Sequence, residues 1–185
     1  MLFEKRNFNM GRLLNQLYQF ECKLFKLINS HFERKGLNVY FRYITHLGGA
    51  VFSIATCLML MLFFNEPVKT VALASSAALF FSHIPVFIVK RIYPRRRPYL
   101  TLFETKVLEN PLTDHSFPSG HTTAVFSVAT PFLLFFPALT WILLPLAFSV
   151  ALSRIFLGLH YPSDVLAGIV LGASAGTICF VAFGP

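Results

Sequence analysis

A chain of 185 residues, 55% of them hydrophobic, has room for one domain or one small helical bundle. An ordinary soluble domain is about 45–50% apolar, and here the excess is gathered into long runs. The composition therefore excludes a typical soluble protein and predicts an all-α integral membrane helical bundle. The formal net charge of +8 indicates an anionic partner, and since much of it lies in residues 90–97, that partner should bind locally.

The cysteines and the basic run argue against further classes of protein, and no cleavable signal peptide is predicted. Three cysteines, an odd number without metal-ligand spacing, make neither a disulfide framework nor a metal site. The N-terminus lacks the compact apolar run and small-residue cleavage site of a secretory signal peptide. One basic run beside a membrane lacks the stacking and base-reading groups of a nucleic-acid-binding surface, so we expect no nucleic acid among the partners.

Residues 12–32 have a helical pattern in which apolar side chains recur every three or four residues opposite a polar stripe. Glu21, Lys23 and Lys26 lie in its middle, where each would cost roughly 2.5–3.5 kcal/mol at the centre of a bilayer. An amphipathic helix at the membrane surface therefore fits this segment better. The alternative is a first spanning helix whose polar stripe faces other helices.

Five apolar stretches come close to the roughly 20 residues that cross the hydrocarbon core of a bilayer. They cover residues 43–64, 68–89, 122–136, 139–156 and 164–183. With the N-terminal helix they predict five to six membrane helices in a single domain, residues 1–185, whose helical core is 43–183.

Counting the crossings places three polar segments at the same membrane face. These are the basic run at 90–98, the start of the third span and the turn at 158–164. The link at 99–117 is the longest polar stretch between spans, and we expect it to form a surface loop or lid. Three arginines of the basic run are expected to meet lipid head groups or water: Arg91, Arg95 and Arg96.

Residues 116–123, Ser-Phe-Pro-Ser-Gly-His-Thr-Thr, join a chain break to the third span. Ser119 is a good helix N-cap, so the backbone N–H groups of Ser119 and Gly120 should lie at a helix N-terminus, which favours an anion. His121 stands in the first turn, beside any anion held there.

The polar face collects eight residues that carry chemistry: Lys90, Arg97, Ser119, Gly120, His121, Arg154, His160 and Asp164. Two cationic segments suit a multiply charged oxyanion, because arginine binds phosphate bidentately and lysine adds a compact charge. Two histidines are available for nucleophilic and acid–base work. Asp164 follows His160 by four residues, close enough to bind one imidazole nitrogen and make the other a better nucleophile.

The order and spacing of these residues resemble the three-part signature of the type 2 phosphatidic acid phosphatase superfamily. The matching segments are Lys90 to Arg97-Pro98, then Pro118-Ser119-Gly120-His121, then Ser153-Arg154 with His160 and Asp164. The resemblance covers roughly residues 43–183 and leaves the N-terminal helix outside the motifs.

The resemblance implies a role for each of these residues. His160 attacks phosphorus and becomes phosphohistidine, Asp164 orients it, and His121 protonates the leaving oxygen. Five residues hold the phosphoryl oxygens: Lys90, Arg97, Ser119, Gly120 and Arg154. Neither a metal nor a cofactor is expected, because fixed cations supply the charge stabilisation that phosphoryl transfer needs.

The implied activity is that of a lipid phosphatase that removes a terminal phosphate from an anionic lipid. Phosphatidylglycerophosphate is the first expected substrate and undecaprenyl pyrophosphate the alternative, while phosphatidate, lysophosphatidate and sphingolipid phosphates stay open. The expected partners are this phosphorylated lipid and the membrane lipids, and the oligomeric state stays open.

Two rival functions belong to other classes. An anion transporter would need ionisable groups deep within several spans, yet residues 51–64 and 165–183 contain neither a charged residue nor a histidine. A scaffold with a decayed site would be expected to lose a catalytic histidine, whereas His121 and His160 are both present.

Two arguments predict opposite orientations of this face in the membrane. Basic segments usually lie in the cytoplasm, which would place this face inside the cell. The family implies a catalytic face outside the cytoplasmic membrane. Because the site itself explains the cations, we expect a multi-pass cell-membrane protein with an extracytoplasmic catalytic face.

Overall fold

The structure, a computed structural model, describes residues 2–109 and 111–185, with side chains from residue 11 onward, and the regular structure in these ranges is helical. Eight α-helices follow one another: α1 Leu2–Asn29, α2 Lys35–Ile44, α3 Ala50–Phe63, α4 Val68–Ile92, α5 Pro98–Thr101, α6 Gly120–Phe135, α7 Thr140–Phe156 and α8 Pro162–Phe183. Two short 3₁₀ turns, Thr45–Gly48 and Pro137–Leu139, lie before α3 and α7. The predicted all-α architecture is confirmed.

The helices differ in whether they can cross a membrane alone. Of the described helices, three are long and apolar enough by themselves: α4, the segment Pro137–Phe156 and α8. Lys35–Gly48 and Ala50–Phe63 meet the same test only as a pair, with a bend of 56° between them. At 16 residues, α6 is shorter than a full span. Helical structure therefore occurs at each of the five predicted spans, but the first is broken and the third is short.

Local sequence explains both departures from a regular span. Gly49 separates the 3₁₀ turn from α3 and has extended backbone, with φ −72° and ψ 148°, so the helical hydrogen-bond ladder stops there. Pro118 lies just before α6, and Pro137 lies just after it. Proline disfavours helical backbone at the preceding residue and cannot donate to a continuing ladder, which limits the length of α6.

Among the described residues, the most extensive contact between two helices lies between α6 and α8, and three glycines of α8 permit it. A Cβ atom at Gly168 would lie 2.8 Å from the Ser119 carbonyl oxygen, and one at Gly172 would lie 2.5 Å from that of Thr123. At Gly176 it would lie 2.5 Å from the Thr130 Cβ. Only glycine allows such close backbone approach between membrane helices. The start of α6 is thereby held against the start of α8.

The N-terminal helix α1 starts and ends earlier than the predicted range 12–32, because the chain after Asn29 forms a turn. Phe25 is fully buried in a cluster that includes Ala151 of α7 and Val165 of α8. Other leucines of α1, including Leu17, are exposed. Among the described residues, α1 does not meet the length-and-composition test for a span. Its position at the membrane surface stays a prediction.

Candidate active site

The link between α7 and α8 places His160 at the centre of the polar face. Gly158 has φ +77°, a conformation that favours glycine, and a Cβ atom there would lie 2.3 Å from the Lys106 carbonyl oxygen. After this turn, the backbone N–H groups of Leu159 and His160 both donate to the Arg154 carbonyl oxygen at 3.1 Å. His160 is thereby packed over the end of α7, and only 2% of it is exposed.

The surroundings of His160 favour one neutral tautomer. Its Nε2 lies 3.2 Å from Arg97 Nη1, and since a guanidinium can only donate, Nε2 is the acceptor. The proton of the neutral ring is therefore assigned to Nδ1, which lies 3.6 Å from Asp164 Oδ2, beyond an ordinary hydrogen bond. Burial lowers the pKa of His160 to about 4, although Asp164 acts in the opposite direction. The imidazole is neutral at pH 7.

Asp164 is fully buried, and both of its carboxylate oxygens have donors. Oδ1 accepts a 2.7 Å hydrogen bond from Arg95 Nη1. Oδ2 accepts from the Ser116 hydroxyl and, at 2.8 Å, from the backbone N–H of Tyr161. The last bond closes the first turn of α8 in the manner of a capping box. Asp164 therefore both caps its helix and faces the candidate nucleophile.

Arg154, in the last turn of α7, is buried with part of its guanidinium unused. Its Nη1 donates to the Thr45 hydroxyl at 2.7 Å. Its Nε and Nη2 are buried and have no hydrogen-bond partner among the described residues. Buried donors are nearly always paired in native proteins, so two unpartnered nitrogens on a buried cation, which carry three N–H bonds, are suited to bind an anion.

The Asp114 carboxylate joins the two cations of the basic run that were expected to bind phosphate. It accepts from Lys90 Nζ on one oxygen and from Arg97 Nη2, at 2.5 Å, on the other. Its backbone oxygen also accepts from Arg97 Nε at 2.8 Å. Burial would raise the pKa of Asp114, but the bonds and charges of Lys90 and Arg97 outweigh it and lower the pKa to about 2. The spacing of the signature residues does not reveal Asp114 as a partner of the site.

The start of α6 lies where the sequence predicts, with one change of detail. Ser119 is in the N-cap position, but its hydroxyl pairs with the Thr122 hydroxyl at 2.9 Å. Its backbone N–H donates to the Asp164 carbonyl oxygen at 3.0 Å. The expectation that this N–H faces an anion is therefore corrected, because the α6–α8 contact already uses it. Gly120 is the first residue of α6.

His121 follows in the first turn of α6 and packs against the break between the 3₁₀ turn and α3. A Cβ atom at Gly48 would lie 2.6 Å from the His121 carbonyl oxygen. One at Gly49 would lie 3.9 Å from its Nε2. The broken first span therefore forms one wall of the site beside His121, a contribution that motif spacing does not reveal.

Arg95 differs most from its expected position. Its guanidinium donates to Asp164 Oδ1 and to the Ser163 hydroxyl, both at 2.7 Å, and to the Glu21 carboxylate. Its Cζ lies 3.9 Å above the Tyr161 ring. The expectation that Arg95 meets lipid head groups or water is therefore wrong, because Glu21 and Asp164 bind it inside the protein. Arg91 and Arg96 are exposed, as expected.

A helical membrane bundle with a buried cationic site beside two histidines defines a class of protein suited to phosphoryl transfer. A family model described as the PAP2 superfamily matches residues 69–184. The chain belongs to the PAP2 superfamily of membrane lipid phosphatases. The resemblance inferred from the three signature segments is confirmed.

Two sequence relatives and one solved structure illustrate the range of this family. A Sulfolobus acidocaldarius protein named undecaprenyl-diphosphatase is 30% identical over 155 residues, which cover 83% of this chain and 74% of that protein. A Bacillus licheniformis protein named bacitracin transport permease protein BcrC is 39% identical over 93 residues, or 50% of this chain. The matched part is 46% of the Bacillus protein, so the chain spans less than half of that relative.

The solved structure is that of a PAP2-type phosphatidylglycerolphosphate phosphatase from Bacillus subtilis. It has a TM-score of 0.74, and the match covers 91% of this chain and 86% of that chain. At 22% identity, this likeness shows the shared fold alone.

Proposed function

We propose that this protein is a metal-independent lipid phosphatase that hydrolyses the terminal phosphate of an anionic lipid at one membrane face. The observation that carries the proposal is Arg154, a buried cation whose Nε and Nη2 have no partner among the described residues. Phosphoryl transfer depends mainly on positioning and charge stabilisation, and a fixed guanidinium supplies both.

In the proposed mechanism, His160 is the nucleophile. The lone pair of Nε2 attacks phosphorus, the bond from phosphorus to the leaving oxygen breaks, and His121 gives that oxygen a proton. Asp164 balances the positive charge that the imidazole ring gains. Water, deprotonated by His121, then attacks the phosphohistidine and releases inorganic phosphate.

The cations hold the phosphoryl oxygens through both steps. Arg154 contributes its unused N–H groups, and Gly120 lies at the N-terminus of α6, where the helix dipole favours an anion. Lys90 and Arg97 are bridged by Asp114 in this structure, so a phosphate that uses them displaces that carboxylate. Ser119, another of the five predicted phosphate-binding residues, contributes its hydroxyl, because its backbone N–H already donates to the Asp164 carbonyl oxygen.

Undecaprenyl diphosphate is the substrate that the relatives favour, ahead of the phosphatidylglycerophosphate expected from the sequence. The relative named undecaprenyl-diphosphatase aligns over 83% of this chain at 30% identity. The phosphatidylglycerolphosphate phosphatase is 22% identical to this chain, which is a likeness of fold alone. An apolar cavity of about 530 Å³ between α3 and α4 is lined in part by Ala124, one turn beyond His121, and offers space for a hydrocarbon tail.

The test is phosphate release by the purified full-length protein in vesicles. Undecaprenyl diphosphate, phosphatidylglycerophosphate and phosphatidate are compared at equal surface density, with His160→Ala as the control for contaminating phosphatases. We expect the highest kcat/KM with undecaprenyl diphosphate. A preference for phosphatidylglycerophosphate would reverse the order of substrates within the same activity. Release no faster than in the His160→Ala protein for every lipid would rule out the phosphatase itself.

An anion transporter remains the candidate from another class, and the Bacillus licheniformis relative named as a transport permease is a reason to test it. The same vesicles report transport when they are loaded with phosphate and the external concentration is followed. We expect no protein-dependent efflux. We also propose that the catalytic face is extracytoplasmic, as the family resemblance implies, because the site itself accounts for the basic residues on that face.

A further inference from the structure

Glu21, Arg95 and Asp164 form a chain of charged contacts from the N-terminal helix to the candidate nucleophile. We infer that Arg95, held in place by Glu21, is a positioning residue that fixes the charge and orientation of Asp164 and so prepares His160 for attack. The inference rests on the proposed phosphohistidine mechanism. It extends that mechanism to two residues that the signature leaves unspecified.

The burial of Asp164 creates the need for Arg95. A carboxylate with no exposed surface is strongly disfavoured unless a cation and hydrogen bonds compensate its charge. Arg95 Nη1 contacts Oδ1 at 2.7 Å, and the other two direct donors, the Ser116 hydroxyl and the Tyr161 N–H, are neutral. His160 becomes cationic only when its Nε2 accepts the phosphoryl group. Arg95 is therefore the cationic donor that compensates the charge of Asp164 before the reaction.

The same contacts divide the two oxygens of Asp164 between two tasks. Oδ1 is bound by Arg95, while Oδ2 lies 3.6 Å from His160 Nδ1. Arg95 at Oδ1, together with the Ser116 hydroxyl and the Tyr161 N–H at Oδ2, keeps the carboxylate from turning away from the imidazole. When the ring gains positive charge, a small approach of Oδ2 to the Nδ1 proton forms the hydrogen bond that stabilises it.

Arg95 is itself fixed from three directions. One carboxylate oxygen of Glu21 accepts from Arg95 Nη2, and the other accepts from the Ser163 hydroxyl at 2.5 Å. Ser163 also accepts from Arg95 Nη1, and the Tyr161 ring lies beneath the guanidinium at 3.9 Å. Side-chain exposure is 19% for Arg95 and 15% for Glu21, so the pair is shielded from the solvent that weakens surface ion pairs.

This arrangement gives α1 a part in catalysis that its position outside the signature does not suggest. Phe25 and Asn29 fix the helix against the bundle: Phe25 is fully buried, and the Asn29 amide bonds the Phe156 carbonyl oxygen at 2.9 Å. Asn29 also exchanges hydrogen bonds with the backbone of Lys106, at 2.8 and 2.9 Å. Glu21 therefore presents its carboxylate to Arg95 from a docked helix.

The test measures the first chemical step in the full-length protein with nitrophenyl phosphate. Burst-phase release of nitrophenol and acid-quench capture of phosphohistidine are followed in Arg95→Met, Arg95→Lys and Glu21→Gln. The matched controls are Arg96→Met, an exposed neighbour, and Glu33→Gln, which removes an exposed carboxylate paired with Lys106. For Arg95→Met we expect a burst rate about 10- to 100-fold lower. This is the loss typical of mutations in residues that hydrogen-bond to metal ligands, and Arg95 stands in a similar relation to Asp164.

The pattern across the variants separates positioning from substrate binding. KM should change less than about twofold in these variants. Arg95→Lys should retain part of the burst rate because it keeps the charge. Glu21→Gln should lower the burst rate less than Arg95→Met does. Residue pairs that act through one contact are not additive. In an Asp164→Asn background, Arg95→Met should therefore cost little more. A full additional loss there, or a raised KM with an unchanged burst, would overturn the inference.

Two controls keep the outcomes distinct. Vanadate binding reports whether the site is intact. If Arg95→Met no longer binds vanadate, the burst rates of Arg95→Lys and Glu21→Gln test the positioning role instead. If the wild-type protein forms no phosphohistidine, the proposed function fails and this inference fails with it. If the wild-type burst is normal and Arg95→Met behaves like Arg96→Met, the inference alone fails.

Discussion

At the scale of single residues, the imidazole of His160 lies between a donor and a carboxylate. Arg97 occupies Nε2, and Asp164 faces Nδ1, so the ring is held with its lone pair toward the cations and its proton toward the acid. Burial favours the neutral form. A neutral imidazole with this tautomer is the form that attacks phosphorus through Nε2.

This arrangement predicts a measurable protonation state. In spectra of ¹⁵N-histidine-labelled protein, assigned by difference from His160→Gln, we expect His160 as the Nδ1–H tautomer at pH 7. It should titrate near pH 4, because burial depresses its pKa. Protonation below that value removes the attacking lone pair, so phosphorylation should be lost as pH falls through it. A proton on Nε2 at pH 7, or titration near pH 6.5, would contradict this assignment.

Asp114 leads to a second prediction at this scale, since its carboxylate occupies Lys90 and Arg97. Asp114→Asn keeps an oxygen acceptor but removes the charge that competes with an incoming oxyanion. About half of the Asp114 side chain is exposed, so the effect should be modest. We expect vanadate, measured by competitive inhibition, to bind about two- to fivefold more tightly. Weaker binding would mean that Asp114 serves to arrange the two cations.

Sequence separation explains which site residues could be predicted. His160 and Asp164 lie four residues apart, and a family spacing identifies them. Glu21 contacts Arg95 across 74 residues, and Thr45 contacts Arg154 across 109, so only the folded chain brings these partners together. Nothing in the basic run distinguishes Arg95 from its exposed neighbours before its partners are known.

At the scale of the elements, length and apolar composition predicted where the helices lie but missed the break at Gly48 and Gly49. Glycine is frequent inside membrane helices, so a pair of glycines in an apolar run does not by itself predict an interruption. In the structure the interruption brings Thr45 to Arg154 and Gly48 to His121. The broken segment is therefore part of the site.

Gly48→Ala tests the role of that segment. An added Cβ would lie 2.6 Å from the His121 carbonyl oxygen and 2.8 Å from a Val150 side-chain carbon, so the start of α6 must move. We expect kcat to fall about tenfold or more, because small misplacements of reacting groups are costly. Gly36→Ala is the control, since a Cβ there meets no atom within 4 Å. Equal activities of the two variants would show that the wall at Gly48 tolerates displacement.

At the scale of the whole molecule, three polar segments and a broken helix meet at one end of an apolar bundle. The first and third signature segments supply Lys90, Arg97 and Arg154, which are formally cationic and belong to the chain itself. Charge stabilisation by fixed groups needs no reorganisation during the reaction. The side of the membrane on which this face lies stays a prediction, because neither the sequence nor the fold contains the membrane.

Removal of metals tests this account of the charge. Because the cations are part of the protein, dialysis against EDTA should leave phosphate release from the lipid substrate unchanged. The measurement compares chelated protein with the same protein after Mg²⁺ or Zn²⁺ is added back. Loss of turnover in EDTA that either ion restores would contradict the assignment of the charge to fixed side chains.

The proposed mechanism makes His160 the nucleophile and His121 the general acid, and the choice of leaving group separates the two roles. Acid catalysis typically contributes about 10²- to 10⁴-fold, and a nitrophenolate leaves with little need of a proton. His121→Ala should therefore turn over the lipid slowly but recover much of its first step with nitrophenyl phosphate. His160→Ala should recover none, and Asp164→Asn should fall between them.

The direct measurement combines burst-phase nitrophenol release with acid-quench capture of phosphohistidine in the wild-type protein and these variants. We expect a trapped phosphoenzyme in the wild type and in His121→Ala, and none in His160→Ala. Equal rescue of both histidine variants by the good leaving group, or a phosphoenzyme that persists in His160→Ala, would contradict it.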